Sequence, residues 1–495
     1  MLYLSTRGSG EKLVSAAVIA KGLSEDGGLF VPEFFPGLSP DEIEKLANVE
    51  YSQRATRILG LFLDDFSAAE LDLYSSQAYS APGFDHPDIA PLHKLGDGTY
   101  SLELWHGPTS AFKDMALQIL PRLLTASLKK TGEKSQVCIL VATSGDTGKA
   151  ALEGFCDVPG TKIMVFYPRD GVSDVQKLQM TSQKGSNVNV VSVEGNFDDA
   201  QAGVKAIFSD ASLREELGSG GYFLSSANSI NWGRLVPQIA YYFSAYCDLL
   251  SKGEIKLGQE VNYCVPTGNF GNILAGYYAV KMGLPVGKLI CASNRNDVLT
   301  DFISDGIYDK NRRFYTTVSP SMDILVSSNL ERLLYELSGK VSGTVSGYMA
   351  ALAEKGRYEI PSVMKNELNR VFAAGRCSEE DTLDTIAQIF KKQSYLIDTH
   401  TAVAFKVLGD YRRISGDNRP AVVLSTASPY KFCDSVLKAL GQEASADGTV
   451  LIADLEKFSG CPVPGPLADL AGKTPRFPDS VPVQGMQKAL VNFLL

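Results

Sequence analysis

The 495-residue sequence predicts an α/β protein of two lobes with parallel-rich sheets, and three observations predict it. From Gln136 onward, short apolar β-branched runs alternate with helical stretches: QVCILVA, then SGDTGKAALEGF, then KIMVFYP. Such alternation marks parallel strands joined by covering helices. A second series starts at VNYCVPTGNFGNILAGYYAVKMG, again strand, glycine-rich turn and helix, and reaches the strand KLICAS ending at Ser293. The third observation is a hydrophobic content of 44%, enough over this length for two or three cores.

Taken in order, residues 1–95 carry helical segments at LSPDEIEKLAN and from Leu61 to Tyr79 with little strand signal, which makes them an N-terminal domain. Residues 96–135 begin the large lobe. Residues 136–235 form the smaller lobe, continuing with a helical VSDVQKLQMTSQ, the strand NVNVVSV and a helix-compatible stretch from Asp198 to Leu217. Residues 236–297 return to the large lobe. Between 298 and 394, SNLERLLYELSG and EEDTLDTIAQIFKKQ space apolar residues three and four apart among charges, the pattern of a mainly helical insertion. Residues 395–495 are expected to rejoin the large lobe through AVVLSTA and to end in a tail rich in proline and glycine.

Composition excludes several classes of function. Lysine and arginine number 47 against 56 acidic residues, a net charge of −9, so a general basic surface for nucleic acid or acidic lipid is missing. Eight cysteines without a C-x-x-C pair and four dispersed histidines support neither a disulfide framework nor a metal site. The opening MLYLSTRGSGEK lacks signal-peptide character, and no window has the apolar length of a membrane span. The expectation is a soluble cytoplasmic protein with no nucleic-acid, membrane or metal partner.

Three segments carry chemistry. In HGPTSAFKD, from His106 to Asp114, a Gly-Pro turn leads into a helix start, with Lys113 among small and apolar neighbours. A lysine in a dry pocket has a lowered pKa and supplies the neutral amine that forms a Schiff base; alone, A-F-K-D reads more readily as a surface lysine in a first helical turn. In VATSGDTGKAA a buried strand ends in Thr143, Ser144, Gly145, Asp146, Thr147 and Gly148 just before a helix, where amides and hydroxyls form an anion site for a carboxylate or phosphate. A phosphate-binding P-loop fails there, because its first glycine falls on Thr143 and its last hydroxyl on Ala150. In PTGNFGN, from Pro266 to Asn272, two glycines and two asparagines precede another helix, as a phosphate cradle or a structural glycine turn.

These three motifs, in this order and spacing, resemble the threonine synthase family of fold-type II, tryptophan synthase β-like, pyridoxal-phosphate enzymes. YLSTRG with EDGGLFVP, SSANSINWGRL, SPSMDI with SSNLERL, and STASPYKF extend the resemblance over most of the chain, and the length is that of the longer bacterial and fungal branch. The resemblance implies pyridoxal 5'-phosphate bound as a Schiff base to Lys113, which then acts as the catalytic base. It implies a cofactor-phosphate loop of Gly268, Asn269, Phe270, Gly271 and Asn272, and Thr426 against the pyridine nitrogen, with Ser425 its neighbour in register. Asp146 is placed near the phenolic oxygen, and Thr143, Ser144, Gly145, Asp146 and Thr147 around the substrate carboxylate. Asn228, Ser229, Asn231 and Arg234 are implied as the site for the phosphate of O-phospho-L-homoserine, the small-molecule substrate, with Thr147 and Asn272 assisting. The implied reaction adds water and releases phosphate to give L-threonine, in a monomer or homodimer. A phospho-lyase releasing 2-oxobutyrate and a non-catalytic cofactor binder are the alternatives. One departure stands out: relatives often have histidine where this chain has Ser428, which leaves His106 and His400 as the nearby imidazoles to place.

Overall fold

The computed structural model describes residues 1–143, 145–169, 172–443 and 448–495. Two sheets dominate it. The large sheet has six strands in the order Phe372–Arg376, Val286–Ser293, Val261–Pro266, Ala421–Ser425, Thr99–Glu103 and Leu92–Gly96. All neighbours are parallel except the last pair, a tight antiparallel hairpin. The small sheet has five parallel strands, Ser480–Pro482, Val188–Glu194, Thr161–Pro168, Gln136–Ala142 and Tyr222–Ser225. Their central members are buried along nearly their whole length, as strands covered by helices on both faces must be.

Three features depart from the sequence-based division. Ser480–Pro482 pairs with Val188–Glu194, and the helix Met486–Leu494 buries Met486, Leu490 and Leu494 on that lobe. The tail therefore closes the small lobe instead of ending on the large one. The insertion contributes Phe372–Arg376 as an edge strand of the large sheet, and Leu92–Gly96 starts that sheet within residues 1–95. Ser480–Pro482 and Phe372–Arg376 take their places from partners far away in sequence, whereas Leu92–Gly96 pairs with the next strand in its hairpin.

The N-terminal region pairs Tyr3–Ser5 with Phe30–Pro32 and adds the helices Ser15–Lys21, Pro40–Leu46, Tyr51–Phe62 and Ala68–Ala78. Ser39 with Glu42, and Ser67 with Glu70, form reciprocal capping boxes that satisfy the first amides of their helices. The region is locked onto the large lobe. Trp232 lies fully buried with its ring 5.2 Å from Tyr3, 5.6 Å from Phe62 and 6.0 Å from Tyr278, and Arg54 reaches Asp248 at 2.6 Å. Arg332, buried in the helix Leu330–Leu337, donates to the carbonyls of Phe30 at 2.9 Å and Ile230 at 2.7 Å and to Asn329 Oδ1. A guanidinium can be buried where its donors meet acceptors in this way. It ties the N-terminal strand pair to the Asn228–Arg234 segment. Among the described residues no helix is long and apolar enough to cross a membrane.

Candidate active site

The C-terminal ends of the parallel strands face a crevice between the lobes, the usual place for a ligand in an α/β sheet. Thr143 follows Gln136–Ala142, the Thr267–Asn272 turn follows Val261–Pro266, Thr426 follows Ala421–Ser425, and the loop bearing Lys113 follows Thr99–Glu103. They meet in a cavity of about 1230 Å³. Of the residues singled out from the sequence, Lys113, Thr143, Thr147, Asn228, Ser229, Arg234, Gly268, Asn269, Phe270, Gly271, Asn272 and Thr426 line it. Ser144 lies outside the described residues.

Lys113 caps the short helix Asp114–Leu117 and is held by a built turn. Asp114, fully buried, accepts the N–H and the hydroxyl of Thr109, each at 2.8 Å. The Lys113 amine lies 3.8 Å from Asp146 Oδ2 and donates to Ser321 Oγ at 3.5 Å. Burial pushes its pKa down to about 8; Asp146 opposes the fall, and Arg234 and Lys431 add to it. At pH 7 about a tenth of such amines are neutral, against about 0.03% for an ordinary lysine. Asp146 stands behind the cavity wall. Burial works to raise its pKa, but Lys431 and Lys113 hold it well below the usual carboxylate range.

The turn Thr267–Asn272 ends in Phe270, whose φ of 64° points the chain into the eleven-residue helix Gly271–Lys281. Gly268 has no room for a side chain: a Cβ there would come within 2.6 Å of the Ser321 carbonyl oxygen. The helix start presents its free amides and positive dipole end to the cavity. Asn272 Oδ1 faces the Tyr241 hydroxyl at 2.6 Å, and its buried Nδ2 has no partner. Arg234 donates through Nη1 to the Ala227 carbonyl at 2.6 Å, while its buried Nε has no partner either. Burial pushes the Arg234 pKa down to about 10. Buried donors of this kind call for an anion or a hydrogen-bonding ligand, since leaving them unmade carries a large desolvation penalty. The helix-start cradle and the depressed lysine together fit a phosphorylated aldehyde cofactor, and the two orphaned donors leave a place for a second anion.

Two sequence expectations change. Asn231 does not reach the cavity: its Oδ1 accepts from Gly233 N at 2.9 Å and its Nδ2 donates to the Ile19 carbonyl at 3.0 Å. It caps the helix Trp232–Leu235 and anchors the N-terminal region, because an Asx cap and a ligand-binding amide look alike in sequence. Asn231→Ala is expected to lower the unfolding free energy in urea by about 1–2 kcal/mol, with KM for a phosphorylated substrate changed less than about twofold. A large KM increase in a protein of normal stability would return Asn231 to the binding site. Thr143 lines the cavity and also folds the loop: its hydroxyl accepts from Gly145 N and Gly148 N, each at 3.0 Å. Gly145 itself, at φ 142°, packs on Gln176 and does not line the cavity.

The register question at Thr426 has a geometric answer. Ser425 Oγ accepts from Trp105 Nε1 at 3.0 Å and from Thr401 at 3.2 Å, whereas Thr426 lines the cavity. Ser428 is fully buried and caps the turn Pro429–Phe432. His106 lies between Asp85 at 2.6 Å and Glu103 at 2.9 Å; partial burial disfavours its charge, but the two carboxylates hold its pKa up at about 9. His400 does line the cavity. Its Nδ1 meets Asp398 at 2.7 Å and its Nε2 accepts the Ser321 N–H at 3.1 Å, so it fixes the loop that touches Lys113. Ser321, Gln176 and Lys431 carry no expectation from the sequence, although SPSMDI and STASPYKF contain two of them.

Comparison with known proteins agrees with this geometry. Residues 2–79 match the model of the threonine synthase N terminus, 87–427 that of pyridoxal-phosphate dependent enzymes, and 401–479 that of the threonine synthase C-terminal region. A threonine synthase of Pseudomonas aeruginosa is 42% identical over 89% of this chain and 91% of its own length. Human threonine synthase-like 1 is 43% identical over 87% of this chain, which spans 58% of that longer protein. The crystal structure of pyridoxal-phosphate-bound threonine synthase from Brucella melitensis superposes with a TM-score of 0.88 at 38% identity, covering 100% of this chain and 98% of that one. With its lobes, its lysine and its anion cradle accounted for, the chain belongs to the threonine synthase family of pyridoxal-phosphate dependent enzymes.

Proposed function

We propose that the chain converts O-phospho-L-homoserine and water to L-threonine and phosphate. The observation that carries this is the pair of unpartnered buried donors, Arg234 Nε and Asn272 Nδ2, on a cavity that also holds the Lys113 amine. A guanidinium edge binds a phosphate ester through charge-assisted hydrogen bonds that water does not screen in a buried wall. Asn228 and Ser229 add neutral donors on the same wall. The overall negative charge of the protein is thereby offset where a dianion has to bind.

The Gly268–Asn272 turn and the N-terminus of the helix after it would hold the cofactor phosphate, Lys113 its aldehyde carbon, and Thr426 its ring nitrogen. Once bound, the cofactor supplies an electron sink for protons leaving the substrate carbons. Lys113 then takes and returns those protons, a task for which an amine near neutral pH is suited. A hydroxyl at Thr426 hydrogen-bonds a ring nitrogen without forcing a charge on it. The assembly proposed is a monomer or a homodimer. Eight unpaired cysteines, six of them buried, support a reducing cytoplasmic setting.

The test is to incubate the cofactor-loaded protein with O-phospho-L-homoserine and quantify phosphate, threonine and 2-oxobutyrate. Equal phosphate and threonine is the expected result. Phosphate with 2-oxobutyrate would make the chain a phospho-lyase, and no turnover would sink the substrate assignment. A second expectation concerns the amine alone. Capture of pyridoxal phosphate by the cofactor-free chain accelerates with pH through a midpoint near 8, because only the neutral amine attacks an aldehyde. Stopped-flow absorbance measures it; a midpoint near the 10.5 of an ordinary lysine would contradict the depressed amine.

A further inference from the structure

The charged groups that act on the Lys113 amine are Asp146, Arg234 and Lys431. Arg234 has a place in the proposed chemistry, and the family resemblance puts Asp146 beside the cofactor. Lys431 has none, yet it is fully buried in the turn Pro429–Phe432. Its Nζ donates to Asp146 Oδ1 at 2.8 Å and to the Thr109 carbonyl at 2.8 Å. Gln176 Nε2 donates to the same Asp146 oxygen at 2.7 Å. Oδ1 is thus filled from two sides, and Oδ2 is left as the oxygen nearest Lys113.

Thr109 in turn gives its N–H and hydroxyl to Asp114, the residue next to Lys113. The Lys431 carbonyl accepts from Ser173 Oγ at 3.3 Å, at the start of the small-lobe helix Asp174–Thr181. One ammonium therefore joins the loop bearing Lys113, the helix start bearing Asp146, and the turn after the strand Ala421–Ser425. An apolar side chain of the same length would fill this space with less desolvation. It would leave Asp146 Oδ1 to Gln176 alone and turn the full charge of the carboxylate on Lys113.

We propose that Lys431 is a positioning residue of this site, which holds Asp146 as a carboxylate with one oxygen toward Lys113 and fixes the lysine loop to the small lobe. The proposal rests on the reading of Lys113 as the lysine that binds the cofactor. Lys431 acts through Asp146 and touches no substrate. Its positive charge also disfavours a second ammonium at Lys113, which leaves more of that amine neutral.

The test is the pH dependence of Lys113 acylation in the cofactor-free protein, read by peptide mass spectrometry at limiting reagent. In Lys431→Met the midpoint is expected to rise by about one pH unit, a roughly tenfold slower labelling at pH 7. Lys431→Arg, which keeps the charge, is expected to restore most of it. In an Asp146→Asn background the effect of Lys431→Met should largely vanish, because the carboxylate through which Lys431 acts on Lys113 is gone. An unchanged midpoint in a folded Lys431→Met protein, shown by circular dichroism, would overturn the proposal, as would an equal shift with and without Asp146. If the methionine variant does not fold, Lys431→Gln, which keeps a donor to Thr109, is measured with the same expectation. Borohydride reduction of the wild-type protein with pyridoxal phosphate, followed by peptide mapping, tests the reading of Lys113 separately; label on another lysine would remove that reading whatever Lys431 does.

Discussion

Lys113→Ala is expected to lower the release of phosphate from O-phospho-L-homoserine by at least about 10³-fold, since it removes the covalent anchor of the cofactor and the base together. The absorption band of the lysine-linked cofactor should disappear in the same protein. The variant should still fold. Lys113 is a buried amine whose pKa is depressed chiefly by burial, so its charge is held at a cost, and alanine removes that cost. A melting temperature equal to or above that of the wild type, together with lost turnover, would separate chemistry from misfolding. Retained turnover would remove Lys113 from the mechanism.

Arg234→Met comes next in size. It deletes a buried guanidinium of the cavity wall whose Nε has no partner, and removing one partner of a buried charge pair costs about 2–5 kcal/mol. At about 1.4 kcal/mol per tenfold, kcat/KM should fall by roughly 30- to 4,000-fold. Inhibition by inorganic phosphate should weaken in parallel, because the same donors bind it. Arg234→Lys should recover only part of the loss, as a point charge cannot reproduce a planar fork. Steady-state kinetics with the phosphate ester checks this, and an unchanged kcat/KM would place the phosphate elsewhere.

Much of the architecture was legible because it is local. The run QVCILVA reads as a buried strand and forms Gln136–Ala142; PTGNFGN reads as a strand-to-helix turn, a phosphate cradle or a structural one, and leads into the helix Gly271–Lys281. Both follow from properties of neighbouring residues, the pleat and the orphan amides of a helix start. Ser480–Pro482 is three residues long and becomes a strand only by pairing with Val188–Glu194, so no periodicity announces it. Asn231 and Arg234 are three apart and both polar, yet one turns to Ile19 and the other to the crevice.

The sequence alone determined the two-lobe α/β class and the two glycine-bearing strand-to-helix turns, since each is written in a contiguous stretch whose backbone geometry follows from residue type; it was the family resemblance that singled out Lys113. Only the tertiary structure decided how that lysine is tuned. Asp146, Ser321, His400 and Lys431 lie between 33 and 318 residues from Lys113 along the chain, and they surround or brace it through distances of 2.7–3.8 Å. A pKa depends on what surrounds a group in space, and order along a chain does not record it.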